Sequence, residues 1–343
     1  MIVHAIPEYI NEKEYGAGNW KAVEGTCLAL AEAEIQAKTL RFNDKMPEAI
    51  LSELTPDTRH LLIEYSFWPD LQAEAKRQYP QLNVHVRTHN AEAYQYIHRY
   101  RRGRRDYIKL RLWRKFLELI ARDSRSRSAS DSLLGISVWD NQNYWRWLPG
   151  HASVLYLPYF SPWPFLRSNV EPRVWDQRQN VIVSMGGNFD PSGLLNVENL
   201  NTMATKLPVI SNDSWQFQLT WWSQWFERVP NVQANIEILR HCDEPWDLLC
   251  QVRALAVLTY LGFGFKTTIV DGLAAGCHVI VHPKLVNRLP PEVAQLCLIC
   301  DPSNNEHVAR LAAELSSPPP SHDINRKLRG NAVKVLRSTL KGG

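Results

Sequence analysis

Residues 262–280 read GFGFKTTIVDGLAAGCHVI and directly follow the apolar run ALAVLTYL. Gly262 and Gly264 permit a close backbone approach and positive φ at this junction. Lys266 then places a cation where a small-residue helix begins, beside N–H groups that have no partner within the helix. Glycine, lysine and a helix N-terminus together suit an anion, most often a phosphate. The plainer alternative is a β-to-α turn with a surface lysine, and two glycines alone do not separate these readings. A second candidate is His89, which follows the strand-like NVHVRT. It is either a core histidine bonded to a carbonyl or a group placed for proton transfer or positioning. Cys297 and Cys300 form a C-x-x-C inside the strand-like QLCLIC, with no second pair, so buried reduced thiols are expected rather than zinc ligands. No pair of carboxylates stands out as nucleophile and acid.

These residues need a scaffold, and 343 residues are more than one hydrophobic core usually organises, so two domains are expected. Hydrophobic residues make up 45% and charged residues 22%, the balance of an ordinary soluble globular protein. No apolar run approaches the roughly 20 residues of a spanning helix, and MIVHAIPEY is not a signal peptide, so a cytoplasmic location is expected. Strand-like IVHAI, KTLRF, HLLIEYSF, NVHVRTH, SLLGIS and VLYLPYF are separated by helix-like WKAVEGTCLALAEAEI, PDLQAEAKRQY and a long helix over 106–121. After the proline-bearing SPWPFLRSNVEPRVWDQRQN, alternation resumes with NVIVSMGG, then WQFQLTWW, followed by NIEILR, ALAVLTY, HVIVH and CLICD, with all but WQFQLTWW read as strands. Alternating strands and helices predict parallel sheets covered on both faces. The expected division is a lobe over 1–160, a linker over 161–179 and a second lobe over 180–321, with the last helix (322–343) returning to the first lobe.

LTYLGFGFKTTIVDGLAAGCHVIV followed by LCLICDPSNNEHVARLAAEL resembles the C-terminal lobe of GT-B glycosyltransferases, chiefly the family 4 (group 1) retaining type. The family's glycine pair, its lysine, its acidic helix residue, its later glycine and strand, and its Asp-Pro match Gly262, Gly264, Lys266, Asp271, Gly276, Val279, Ile280, Asp301 and Pro302. GAGNW, VRTHN and DSLLGISVWDNQNYW match the first lobe less closely. The resemblance implies an α/β GT-B-like fold with two Rossmann-like lobes whose parallel sheets face a central cleft. It implies glycosyl transfer from a nucleotide-diphosphate sugar to a glycan or lipid-linked acceptor, with retention, without metal and without a cofactor. A D-x-D, which would indicate a metal-bound donor, does not occur in the matching pattern.

Carried over residue by residue, the resemblance puts Lys266 and the backbone around Gly262, Gly264, Phe265 and Thr267 on the diphosphate. Asp271, opening the helix, would meet the ribose hydroxyls, and Asn188 would line the donor side. Gly16, Gly18 and Asn19 would form the acceptor-side loop, with His89 near the reacting sugar. His89 and Lys266 are then the expected catalytic residues. Two positions depart from the pattern. Leu261 stands where an acidic residue is usual, and MGGNFDPSG lacks the usual cation, for which Arg253, near the strand before the glycine loop, is a candidate substitute. A GT-B sugar-nucleotide epimerase and a non-catalytic sugar-binding or scaffold protein are the alternatives.

Charge is unevenly spread. Residues 99–122 hold ten Lys/Arg and two Asp/Glu, a local +8 in a chain of formal charge +4, which leaves −4 for the remainder. Arg101, Arg102, Arg104 and Arg105 precede an amphipathic helix carrying Trp113, which predicts docking on an anionic membrane surface. The alternative is a core helix with a solvated basic face. Without a stacking platform or binding motif, nucleic acid is not expected as a partner.

Overall fold

The computed structural model describes the chain apart from residues 11–17, 44, 95, 97–105, 188–190, 212–213, 222–230, 240–241, 243–244, 262–263 and 342–343. By their contacts, Met1–Phe160, Phe263–Phe265 and Arg326–Gly343 form one compact unit. Ser161–Gly262 and Lys266–Asn325 form a second.

The first unit is built on β1 (Ile2–Pro7), β2 (Ala37–Phe42), β3 (His60–Glu64), β4 (Asn83–Thr88), β5 (Ser132–Gly135) and β6 (Ser153–Tyr156). They form one sheet of order β2-β1-β3-β4-β5-β6, and every pairing is parallel. Strands β1, β3 and β5 are buried throughout, as a sheet covered on both faces requires, and they read as apolar runs carrying only His4, His60, Glu64 and Ser132 as polar residues. One face packs Val3, Ala5, Leu61, Ile63 and Val84 against Leu71 and Ala75 of α2 (Pro69–Gln78). Helix α1 (Gly18–Glu32) connects β1 to β2. Helix α3 (Asp106–Ala129) runs eight residues beyond its expected end. Its last turns carry polar residues that are buried and bonded: Ser126 donates to Gln72 Oε1 at 3.0 Å, and Ser66 donates to Asp123 at 2.9 Å. Packing overrides the weak helix propensity of RDSRSRSA. The chain's last helix, Ile324–Leu340, is tied to α1, with Arg329 Nε 3.0 Å from Glu32 Oε2 and Arg337 Nη2 donating to Glu32 O at 3.0 Å.

The second unit repeats the plan with β7 (Gln179–Gly187), β8 (Gln216–Trp221), β9 (Ile236–Leu239), β10 (Val252–Val257), β11 (His278–Val281) and β12 (Cys297–Ile299). Its sheet order is β12-β11-β10-β7-β8-β9, again parallel throughout. Ile182, Phe217, Leu219, Ala254, Ala256 and Ile280 form its core with residues 197–207 of the helix Pro191–Ile210. Residues 161–179 pack on this unit. Trp163 is buried, Trp246 Nε1 donates to Val170 O at 3.0 Å, and Arg173 N donates to Cys250 O at 3.0 Å. Cys297 and Cys300 are free and buried, and burial pushes both thiols up to about 12. Among the described residues no helix is long and apolar enough to cross a membrane.

In each sheet the chain runs outward in one direction and then resumes on the other side of its first strand. The reversal falls between β1 and β3 in one unit and between β7 and β10 in the other. Open parallel sheets bind ligands beyond the carboxyl ends of their strands at such a point.

Candidate functional site

At the reversal of the first sheet, the strand register brings four ionisable side chains together. Glu64 closes β3, beside Arg87 in β4. His4 sits in β1 next to β3, and His89 immediately follows β4. His4 Nε2 lies 2.8 Å from Glu64 Oε1, and His89 Nε2 lies 2.6 Å from Glu64 Oε2. Arg87 Nη1 is 3.8 Å from Oε2 and also donates to Ala22 O of α1. All four residues are nearly inaccessible, with exposures of 0, 0, 2 and 3% for His4, Glu64, Arg87 and His89.

Charges so buried persist only when paired. Burial alone would push the Glu64 carboxyl up, but Arg87, His4 and His89 hold it well below the usual carboxylate range. For His4, burial opposes the proton, yet contacts with Cys27 and Glu64 outweigh it and raise the ring to about 9. For His89 burial prevails: Glu64 draws a proton toward the ring, Arg87 and His4 repel it, and the ring stays below its ordinary range. Tyr65 stacks on His89 with centroids 4.2 Å apart and planes at 10°. Its own φ is +72°, in the left-handed region that side chains rarely adopt. The backbone strain that turns this ring onto His89 coincides with the site.

At the reversal of the second sheet, the bonded polar side chains among the described residues are neutral. Ser184 in β7 donates to Ala256 O at 3.0 Å, and Asn196 Nδ2 donates to Ser184 Oγ at 2.6 Å. Asn196 Oδ1 accepts Leu258 N at 2.9 Å, and Asn199 Nδ2 donates to Leu258 O at 2.8 Å. Ser192 Oγ lies 3.0 Å from Thr259 Oγ1 and donates to Leu261 O at 3.0 Å, while Leu261 N donates to Thr259 Oγ1 at 3.3 Å. The chain leaving β10 is therefore held at Leu258, Thr259 and Leu261.

Lys266 occupies the N-cap of the helix Thr267–Ala274, in extended conformation, and Lys266 O closes the first turn by accepting Ile269 N at 3.0 Å. A lysine side chain has no oxygen to cap the helix. Gly264 adopts φ +84°. A Cβ there would lie 1.8 Å from Asn90 Oδ1 and 3.1 Å from His89 O, so the close approach that two glycines suggested is real at this one. Phe265 is buried, with its ring centroid 6.1 Å from that of Tyr159.

Other expected residues are placed differently. Asp271 does not open the helix. It is the fifth residue, one turn in, and 1% exposed, because the helix begins at Thr267 directly after the cap. Arg253 cannot substitute for the missing cation beyond β7. It stands near the amino end of β10, its guanidinium 4.7 Å over the Trp175 ring and 3.4 Å from Asn180 Oδ1. Gly18 begins α1, and Asn19 Oδ1 accepts the neighbouring Trp20 N at 2.9 Å. Trp113 is exposed on α3 with Leu110 and Leu117 at i, i+3 and i+7, whereas Leu119 is buried. One part of the expected apolar arc therefore packs and another faces out. Gly16, Arg101, Arg102, Arg104, Arg105, Asn188 and Gly262 lie outside the described residues.

His4, Glu64, Arg87, Ser192, Asn196 and Asn199 were not anticipated. The available signal was a histidine inside IVHAI and a glutamate ending HLLIE, charged interruptions in runs that otherwise read as doubly buried strands.

No protein-family profile and no curated protein matches the sequence. Solved structures do match along nearly the whole chain. Sucrose-phosphate synthase from Thermosynechococcus elongatus is 13% identical and superposes with a TM-score of 0.58, covering 98% of this chain and 94% of that one. A UDP-forming trehalose-phosphate synthase from Burkholderia vietnamiensis is 14% identical with a TM-score of 0.54, over 96% and 85% of the two chains. Anabaena HepE, solved in complex with UDP, is 10% identical with a TM-score of 0.54, over 98% and 95%. Two parallel six-stranded units matching glycosyltransferases over this length give the chain the GT-B fold.

Proposed function

We propose that the protein transfers a glycosyl group from a nucleotide-diphosphate sugar to an acceptor. The observation that carries this reading is Lys266 at the N-cap of the helix Thr267–Ala274, beyond β10 and beside the reversal of the second sheet. Backbone N–H groups and a lysine at a helix start are suited to a diphosphate, whose negative charge grows as it leaves. Lysine acts there as a point charge on the leaving group. HepE was solved with UDP, which supports a uridine diphosphate among the first ligands to test. Retention and independence of metal are part of the proposal, on the resemblance in sequence. Asp271, Asn188 and Gly262 belong to the same proposed donor side, and Gly16, Gly18 and Asn19 to the acceptor side.

Calorimetry tests it. Lys266→Ala is expected to weaken a nucleoside diphosphate by about 1.5–3 kcal/mol while leaving the free nucleoside nearly unchanged. Equal affinities for wild type and variant would remove the phosphate role.

The acceptor is proposed to be a glycan or a lipid-linked molecule met at a membrane. Leu110, Trp113 and Leu117 form an exposed apolar row beside Arg114, following the strongly basic residues 99–105. Co-sedimentation with anionic but not neutral vesicles, weakened by salt, is the expected behaviour. A second reading, binding without turnover, is favoured by Leu261. It is buried where the resemblance expects an acid, with its backbone N and O both engaged. Saturable nucleotide-sugar binding with no product from any acceptor would support it.

A further inference from the structure

Glu64 has both carboxylate oxygens occupied, one by His4 Nε2 and the other by His89 Nε2. A carboxylate only accepts hydrogen bonds, so each imidazole must carry its hydrogen on Nε2. A neutral His89 then has a bare Nδ1. A buried carboxylate beside a single histidine would ordinarily draw a second proton onto the ring. Here Arg87 and His4 share the same carboxylate and answer its charge.

We propose that Glu64 is a positioning residue that holds His89 as the neutral Nε2–H tautomer with Nδ1 bare, and that His4 is the counter-cation that keeps it so. This deepens the glycosyl-transfer reading, in which His89 serves near the reacting sugar. It assigns Nδ1 as the ring atom left to accept a hydrogen bond or a proton.

Three features support the assignment beyond the two bonds. The positive-φ Tyr65 lies on the His89 ring and fixes its plane. Gly264, at φ +84°, brings backbone against Asn90 and His89 O where no side chain fits. The ionisable groups that face the two rings are one carboxylate, one guanidinium, a phenol and a thiol. Glu64 and Tyr65 face His89 from β3 and the residue after it, Arg87 faces it from β4, and His4 faces it across the carboxylate from β1. Behind His4 lies Cys27 of α1, its sulfur 3.9 Å from Nδ1. Burial lowers His89, with Arg87 and His4 adding to it against Glu64, whereas Cys27 and Glu64 raise His4 despite its burial, so two rings on one carboxylate shift in opposite directions.

The test is nitrogen NMR of the full chain with ¹⁵N-labelled histidine, which distinguishes protonated from bare ring nitrogens and needs no substrate. Between about pH 6 and 8, His89 is expected to show hydrogen on Nε2 and a bare Nδ1, and His4 to be protonated on both nitrogens. His89 carrying hydrogen on Nδ1 in the wild type overturns the proposal. In Glu64→Gln the amide offers one acceptor and one donor, so one ring must turn its Nε2 into an acceptor. Unchanged nitrogens in both rings also overturn it, and if that variant does not fold the wild-type spectrum still decides. In His4→Gln, which keeps a donor but loses the charge, the His89 ionisation midpoint is expected to rise by roughly one pH unit. No rise removes the counter-cation role. With an acceptor in hand, His4→Gln is expected to lower turnover several-fold with donor KM nearly constant. If no transfer is detected with any acceptor, the glycosyl-transfer reading fails while the spectra still report on the arrangement.

Discussion

The two units use one topology and finish it with opposite chemistry. Where the first sheet reverses, His4, Glu64, Arg87 and His89 meet as a buried ionic cluster. Where the second reverses, Ser184, Ser192, Asn196, Asn199 and Thr259 form a lattice of neutral hydroxyls and amides. Burying charge costs far more than burying an amide, so the cluster is tolerated only because every member answers another. A neutral lattice instead secures backbone at modest cost. The difference separates two tasks. On the proposed reading, the first strand end serves proton handling and the second serves an anion.

If the contrast between ionic and neutral is correct, removing one member should cost very different amounts. Glu64→Ala leaves Arg87 and His4 buried without their counter-charge and is expected to destabilise by about 3–5 kcal/mol in urea unfolding. Asn196→Ala takes the acceptor from Leu258 N and one of two partners from Ser184 Oγ, and about 1–3 kcal/mol is expected from the same measurement. Equal losses would dissolve the distinction.

Acidity sharpens it further. His4 is raised to about 9, so its contribution is complete below an unfolded-state value of about 6.5 and is lost as pH rises through 9. His89 is lowered, so its contribution is complete above that unfolded value and declines as pH falls below it. Stability should therefore peak near neutral pH and decline toward about pH 8.5, measured as Tm across a buffer series. The buried thiols Cys250 and Cys277, pushed up to about 12 and about 11, contribute their own decline only above about pH 8.5, so the two windows can be distinguished. His4→Phe should flatten the lower window and leave the upper one. A smaller effect still is expected from Glu118→Gln. It breaks an Arg114–Glu118 pair at 3.0 Å on the exposed side of α3 and should change stability by no more than about 0.5 kcal/mol.

The alternation of apolar runs with amphipathic stretches already marked most of the described strands, and β1, β3, β5 and β11 most clearly, because parallel strands buried on both faces carry their environment in their composition. The turn before Lys266 was equally readable, since glycine and a helix start leave local marks. Other features escaped for a common reason. Helix α3 continues past Ala121 because Gln72 and Ser66 satisfy its polar residues, and neither is near it in the chain. Arg253 looked close to the donor loop in sequence but lies near the opposite end of its strand, several residues of rise away.

By itself, then, the sequence determined the α/β class, the two-part organisation, the glycine–lysine turn and the strand-end position of His89, all of which follow from local propensity and periodicity. Only the tertiary structure decided that His89 shares Glu64 with His4. Those residues are separated by 25 and 60 positions, and their contact exists only because the parallel registers of β1, β3 and β4 bring them to one buried point. Hydrogen bonds between side chains so far apart leave no periodic trace in a sequence, whereas burial of a whole strand does.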